Sequence, residues 1–199
     1  NRGIFEVEFG TTTYHDLIFA PEYGGGIRDD RALKCFIPGG ASAPWFFPEH
    51  LELPLETGAI GKAGSMMGSG AVVVMDETTD VVKAAWRVVR FFSNESCGKC
   101  TPCREGTNWL VKIMRRIVEG AGRPSDLDLL RDVCDNISPG LAWPPRMTTI
   151  CPLGPSAVSP ILSTIDRFRD EYDAYLTAAP EVSTTVPVSI RPHKEGAGV

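Results

Sequence analysis

The polar and apolar positions follow one period early in the chain and another later. Ile4-Phe5-Glu6-Val7-Glu8-Phe9 mixes apolar and acidic residues with a period near two, which predicts a half-buried strand ended by Gly10. Thr11, Thr12 and Thr13 offer N-caps for a short helix through Leu17 and Ile18. Past the turn-forming Gly24-Gly25-Gly26, Leu33 to Ile37 predicts a second strand, stopped by Pro38-Gly39-Gly40, and Ala71 to Met75 a third. Pro44 to Gly70 is rich in Gly and Pro and reads as loop.

From Asp80 the period becomes 3.6. Val81, Ala85, Val88 and Phe92 make an apolar stripe with Val82 and Val89 beside it, while Lys83, Arg87 and Arg90 line another face, so an amphipathic helix is predicted up to the cysteine loop that follows. A second helix is predicted from about Arg104 to Glu119 with Leu110, Ile113, Met114 and Ile117 inward, ended by Gly120 and Gly122. A third starts at Ser125, a good N-cap, with Asp126 and Asp128 in its first turn and Leu127, Leu130, Cys134 and Ile137 on one side. Asn136 to Pro145 reads as loop, and a fourth helix after Pro155 carries Ile161, Ile165, Phe168 and Tyr172. Four such helices on short loops predict a small bundle. The tail after Ala179 has little periodicity and predicts an extended or disordered segment.

With 43% hydrophobic and 23% charged residues, the 199-residue chain has enough apolar surface for one ordinary core or two small ones. Its longest apolar runs, such as Ala71-Val72-Val73-Val74-Met75, fall far short of the roughly 20 residues that span a bilayer, so no direct membrane insertion is expected. A net charge of -5 lacks the Lys and Arg surplus of a nucleic-acid footprint and leaves other proteins as the expected partners. The chain opens on Asn1 with a strand-like segment close behind, which leads us to expect further sequence upstream.

The chemistry lies in the cysteines. Three of the six fall in Cys97-Gly98-Lys99-Cys100-Thr101-Pro102-Cys103, where they converge on a common object more easily than they pair with one another, which favours a reducing compartment. In that compartment Asn94-Glu95-Ser96 and Asn136-Ile137-Ser138 are chance matches to the glycosylation pattern. A [4Fe-4S] cubane needs four thiolates, and a Cys-x-x-Cys-x-x-Cys loop wraps three around one face. Cys151, followed by Pro152 as in ferredoxin-type runs, is the expected fourth. Zinc is the competing metal, but structural zinc usually takes two separated ligand pairs, whereas Cys151 stands alone beyond 47 intervening residues, positions 104 to 150. Cys134 is the alternative fourth ligand, although its place on an apolar stripe favours a packed thiol, and Cys35 reads as core. The helix starting near Arg104 would offer its positive end to a negatively charged cluster. Lys99 and Arg104 either tune that site or form a solvated basic rim.

Glu95-Ser96-Cys97-Gly98-Lys99-Cys100-Thr101-Pro102-Cys103-Arg104-Glu105-Gly106 resembles the cluster signature of the NADH-oxidising flavoprotein subunit of respiratory complex I, the F subunit of NADH:quinone oxidoreductase. The resemblance extends to Ile37-Pro38-Gly39-Gly40-Ala41-Ser42-Ala43-Pro44, to Gly64-Ser65-Met66-Met67-Gly68-Ser69-Gly70 and to Ile150-Cys151-Pro152-Leu153-Gly154. It implies an α+β fold, with a ubiquitin-like β-grasp unit over residues 1–78, a four-helix iron–sulfur domain over 79–176 and a tail over 177–199. It implies Cys97, Cys100, Cys103 and Cys151 as ligands, with Pro152, Leu153 and Gly154 near FMN. It further implies that the cluster takes single electrons from FMN and passes them to other iron–sulfur subunits of a cytoplasmic assembly peripheral to the inner membrane.

The family's glycine-rich loop for FMN and NADH has no counterpart here, and Gly61 to Gly70 precedes a strand instead of a helix, so it reads as a surface loop. Hydride oxidation is therefore expected of a preceding domain, and this chain by itself is expected to be inactive toward NADH. Flavoprotein subunits of NAD-dependent hydrogenase and formate dehydrogenase share the signature, and a structural zinc module is the alternative of a different class.

Overall fold

A computed structural model of the chain describes residues 1–141 and 144–176. The element order is α1 (Tyr14–Phe19), β1 (Leu33–Ile37), α2 (Thr57–Lys62), β2 (Val73–Asp76), α3 (Val81–Glu95), α4 (Thr101–Arg116), α5 (Ser125–Ile137), α6 (Leu153–Thr164) and α7 (Arg169–Asp173), with short 3-10 turns at Arg28–Asp30 and Pro48–His50. The fold is mixed, mostly helical with a small sheet.

Thr13 caps α1 as expected. Its hydroxyl accepts the Asp16 N–H at 3.1 Å while its own N–H donates to the Asp16 carboxylate at 3.0 Å, a reciprocal pair that satisfies two exposed donors. β1 and β2 pair antiparallel with Cys35 opposite Met75 and Ile37 opposite Val73. The strand expected over Ile4–Phe9 does not form. Alternation marks a two-faced segment, but a strand also needs a neighbouring ladder, and among the described residues the sheet has two strands only. Ile4 is fully exposed, and Phe5 sets its ring edge-on to Tyr23.

The stretch expected as loop over Pro44–Gly70 contains α2. Two glycines in a six-residue helix oppose it by roughly 1 kcal/mol each, and burial of Ile60 in a small core with Tyr14, Ile18, Phe36, Phe46 and Leu55 overrides that preference. The Gly61–Gly70 segment is less a free surface loop than a docked one. Ser69 N–H donates to Gly39 O at 3.1 Å and Gly40 N–H to Ala71 O at 2.7 Å, while buried Ser65 donates to Pro44 O at 2.7 Å. A Cβ on Gly39 would fall 2.3 Å from Met66 O, so this backbone-to-backbone approach requires glycine. Two of the glycine-containing motifs read from the sequence thus rest on each other.

β1 serves two cores because its side chains alternate. Phe36 enters the small core, while Cys35 and Ile37 enter a larger one shared with Trp45, Met75 and the helices. The larger core therefore runs across position 78. Lys34 pairs with Glu171 at 2.7 Å, and Trp45 N–H donates to Ser163 Oγ at 3.0 Å, so the N-terminal unit and the helices are tied by polar contacts as well.

α3 packs on α4 and α6, and α5 packs on the same two helices. α3 buries Val81, Val82, Ala85, Val89 and Phe92, with Val88 only half-buried at the flank of the stripe. The second and third helices bury the four residues expected of each. α4 starts at Thr101, three residues before the expected start, because Pro102 sits in its first turn, where the missing N–H leaves no helical bond unmade. Ser125 is the first residue of α5 and not its cap. The capping function falls to buried Asp126, which takes the Arg123 N–H at 2.9 Å.

The single fourth helix expected after Pro155 begins at Leu153 and divides into α6 and α7. α6 is buried on nearly all sides, so no amphipathic period marks its ends. Pro160 inside it lacks the N–H owed to Ser156 O, and Ser159 Oγ donates to that carbonyl instead at 3.1 Å. The predicted tail lies outside the described residues.

Candidate metal centre

The loop from Ser96 to Cys100 joins α3 to α4. Gly98 turns it at φ +72, a conformation that suits glycine. Arg104 Nη1 donates to Gly98 O at 2.8 Å while its Nε meets Glu105 Oε1 at 2.8 Å. Arg104 therefore shapes the loop, whereas Lys99 has no ion pair among the described residues and is exposed, as on a solvated rim. Cys100 is the N-cap residue of α4 and Cys103 lies in its first turn. Thr107 Oγ1 donates to Cys103 O at 2.7 Å and pins that turn.

Cys151 arrives from the far side of the sequence. Thr148 Oγ1 donates to Asn136 O at 2.6 Å, with Ile137 O at 2.9 Å, fastening the incoming segment to the end of α5, and Thr149 Oγ1 donates to Cys151 O at 2.9 Å. Pro152 then caps α6. Pro152 is exposed, Leu153 half-buried and Gly154 buried. A Cβ on Gly154 would stand 2.5 Å from Thr149 Oγ1, so the Cys151 loop lies directly on the start of α6.

All six cysteines are free thiols, with Cys97 and Cys151 exposed, Cys100 half-buried and Cys103 buried. The Cys103 thiol is pushed up by burial, then opposed by the Ser96 hydroxyl, then raised further by Cys100, Cys151 and Cys97, so all four sulfurs act in one electrostatic neighbourhood. Neither α4 nor α6 carries a side-chain hydrogen bond at its N-cap, so the positive ends of both helices remain directed at the cysteine segments. Thiols at the start of α4 and just before the start of α6 suit a group that carries net negative charge, because both helix ends are positive.

Among the described residues, no three His, Cys, Asp or Glu side chains converge closely enough to share one metal ion. A cubane asks for a wider arrangement, because each thiolate binds a different iron. Cys134 and Cys35 stand apart from the four. Cys134 is fully buried in the helical core and its thiol is raised by that burial. Cys35 is pushed up to about 12, chiefly by burial, and lies 4.0 Å from the Met75 sulfur. Sequence reasoning missed Ser96, Thr107, Thr148 and Thr149, whose roles are hydrogen bonds that no spacing rule announces.

Residues 83–175, from the start of α3 through α7, match the family described as the NADH-ubiquinone oxidoreductase-F iron-sulfur binding region. The helical part is an iron–sulfur-binding domain of that kind. The chain is 45% identical over 175 residues to the NADH-quinone oxidoreductase F subunit of Streptomyces coelicolor, covering 88% of this chain and 36% of the relative. It is 40% identical over 174 residues to the F subunit of Escherichia coli, covering 87% and 37%. A crystal structure of NAD+-reducing [NiFe]-hydrogenase in the H2-reduced state superposes with a TM-score of 0.68 at 27% identity, over 84% of this chain and 26% of that one. Over residues 83–175 the chain matches that iron–sulfur binding region, and over most of its length it is similar to NADH-quinone oxidoreductase F subunits, of whose length it spans little more than a third.

Proposed function

We propose that this chain is the electron-exit part of the NADH-oxidising flavoprotein subunit of an NADH:quinone oxidoreductase. Cys97, Cys100, Cys103 and Cys151 hold a [4Fe-4S] cluster, and the Pro152-Leu153-Gly154 segment faces FMN bound outside the chain. Electrons leave towards further iron–sulfur subunits of the complex. When bound, the cluster supplies a one-electron centre that a two-electron flavin donor can feed stepwise. The chain's own residues set the geometry: Arg104 and Gly98 fold the three-cysteine loop, Thr107 fixes Cys103, and Thr148 and Thr149 deliver Cys151.

The observation that supports this reading is the placing of Cys100 and Cys103 at the start of α4 and of Cys151 immediately before the start of α6, with the Cys151 segment packed on that helix start through Gly154 and Thr149. The antiparallel β1–β2 pair with α1 packed on it through Tyr14 and Phe36 supports a reduced β-grasp for residues 1–78, and the mutual packing of α3 to α6 supports a four-helix bundle within 79–176. No helix among the described residues is long and apolar enough to cross a membrane.

The test is to compare Cys151→Ser with Cys134→Ser by iron and sulfide content and by visible absorption that bleaches on reduction. The first variant should lose or convert the cluster and the second should keep it. Equal iron loss in both would undo the ligand assignment, and a colourless zinc-loaded chain would select the structural module instead. The hydrogenase likeness supports a second reading, a flavoprotein subunit of an NAD-linked hydrogenase, but the 45% identity to an F subunit against 27% to the hydrogenase favours the first.

A further inference from the structure

Ser96 ends α3 and opens the cysteine loop, and its hydroxyl is held between two groups. It accepts the Gly98 N–H at 3.3 Å and lies 3.2 Å from Cys103 Sγ. A serine hydroxyl has a single proton, and with a lone pair taken by Gly98 that proton is free to point at the sulfur. While Cys103 is a thiol, either atom can donate. A ligating thiolate has no proton, so the direction of the bond is then fixed and Ser96 must donate.

The surroundings hold the pair in place. Gly98 is anchored through its carbonyl by Arg104 at 2.8 Å, and Cys103 through its carbonyl by Thr107 at 2.7 Å. Cys103 is 6% exposed, so little water competes for its sulfur, and its partner is a built-in hydroxyl. An added electron makes the thiolate sulfurs more negative. A donor aimed at one of them therefore stabilises the reduced form more than the oxidised form.

We propose that Ser96 is a positioning residue that raises the reduction potential of the cluster by donating its hydroxyl proton to Cys103 Sγ. This inference rests on the reading of Cys103 as a ligand.

The experiment uses the full chain with its cluster assembled anaerobically from iron and sulfide, in the unaltered, Ser96→Ala and Ser96→Thr forms. Iron per chain and an electron-paramagnetic-resonance redox titration are the readouts. We expect equal iron in all three. In Ser96→Ala the ratio of reduced to oxidised cluster at a fixed poise should fall by up to about tenfold, which is about 59 mV for one electron. Ser96→Thr, which keeps the hydroxyl, should return the potential toward that of the unaltered chain. A full complement of iron with an unmoved potential in Ser96→Ala overturns the proposal. Loss of iron in Ser96→Ala overturns it as well, because Ser96 would then serve the loop through Gly98 alone. Failure of the unaltered chain to take up a cluster is a different result, which overturns the ligand reading and this inference with it.

Discussion

Substituting Gly154 by alanine probes how Cys151, the proposed fourth ligand, is held. The new Cβ would stand 2.5 Å from Thr149 Oγ1, 2.6 Å from its Cγ2 and 3.0 Å from its Cβ. Something must move, and the mobile partner is Thr149, whose hydroxyl donates to Cys151 O at 2.9 Å. Overpacking at a buried site costs about 1–3 kcal/mol, while replacing glycine by alanine in a helix returns up to about 1 kcal/mol, so a net loss of about 1–2 kcal/mol is expected. Thr149→Ala loses about 2 kcal/mol, half from the hydrogen bond and half from the buried methyl. In that background only the 3.0 Å approach to Cβ remains, and Gly154→Ala should cost less than about 0.5 kcal/mol. The two changes should therefore couple by about 1–2 kcal/mol in a double-mutant cycle measured by urea unfolding, with unchanged m-values. Iron content should fall in Gly154→Ala, since the displaced Thr149 no longer tethers Cys151. An equal penalty for Gly154→Ala in both backgrounds would refute the steric argument.

Asp126 is 2% exposed and takes Arg116 Nε at 2.9 Å and the Arg123 N–H at 2.9 Å. Burial works to raise its carboxyl, but the bonds from Arg116 and then Arg123 hold it below the usual carboxylate range. A folded-state pKa below the unfolded one gives stability that is present above about pH 4 and lost as pH falls through the lower folded value. Asp126→Asn should thus lose about 3 kcal/mol at neutral pH, and its deficit should shrink in acid. A deficit independent of pH in urea titrations would contradict this. Thr164 Oγ1 lies 2.6 Å from Pro160 O and commits its proton there, so the fully buried Tyr172 hydroxyl, 2.9 Å away, must be the donor to Thr164. Tyr172→Phe leaves Thr164 satisfied and should cost about 1 kcal/mol, whereas Thr164→Val strands the tyrosine hydroxyl and should cost about 1–3 kcal/mol, an order that thermal unfolding can reverse or uphold.

What the sequence determined by itself is local. Three cysteines within seven positions must share a loop whatever the fold, and a 3.6-residue stripe such as Leu110, Ile113, Met114 and Ile117 must face a core, because helix geometry alone puts those side chains on one side. The first-turn Pro102 was also legible and would have placed the start of α4 correctly. Elsewhere the local signal was indifferent to the outcome. Ile4–Phe9 alternates like a strand yet lacks a partner ladder, and α2 forms against its glycines because Ile60 is buried by residues far along the chain. Cys134 and Cys151 are both single cysteines well beyond the loop, and their neighbours already favour Cys151, which is followed by Pro152, over Cys134, which lies on an apolar stripe. Tertiary packing adds what each environment is: it seals Cys134 among the apolar side chains of α4 to α6, and it leaves Cys151 exposed on a segment that Thr149 and a closely approached Gly154 hold against the start of α6. Hydrogen bonds and close approaches between segments depend on where two distant stretches of chain come to rest, and that position is a property of the whole packed core.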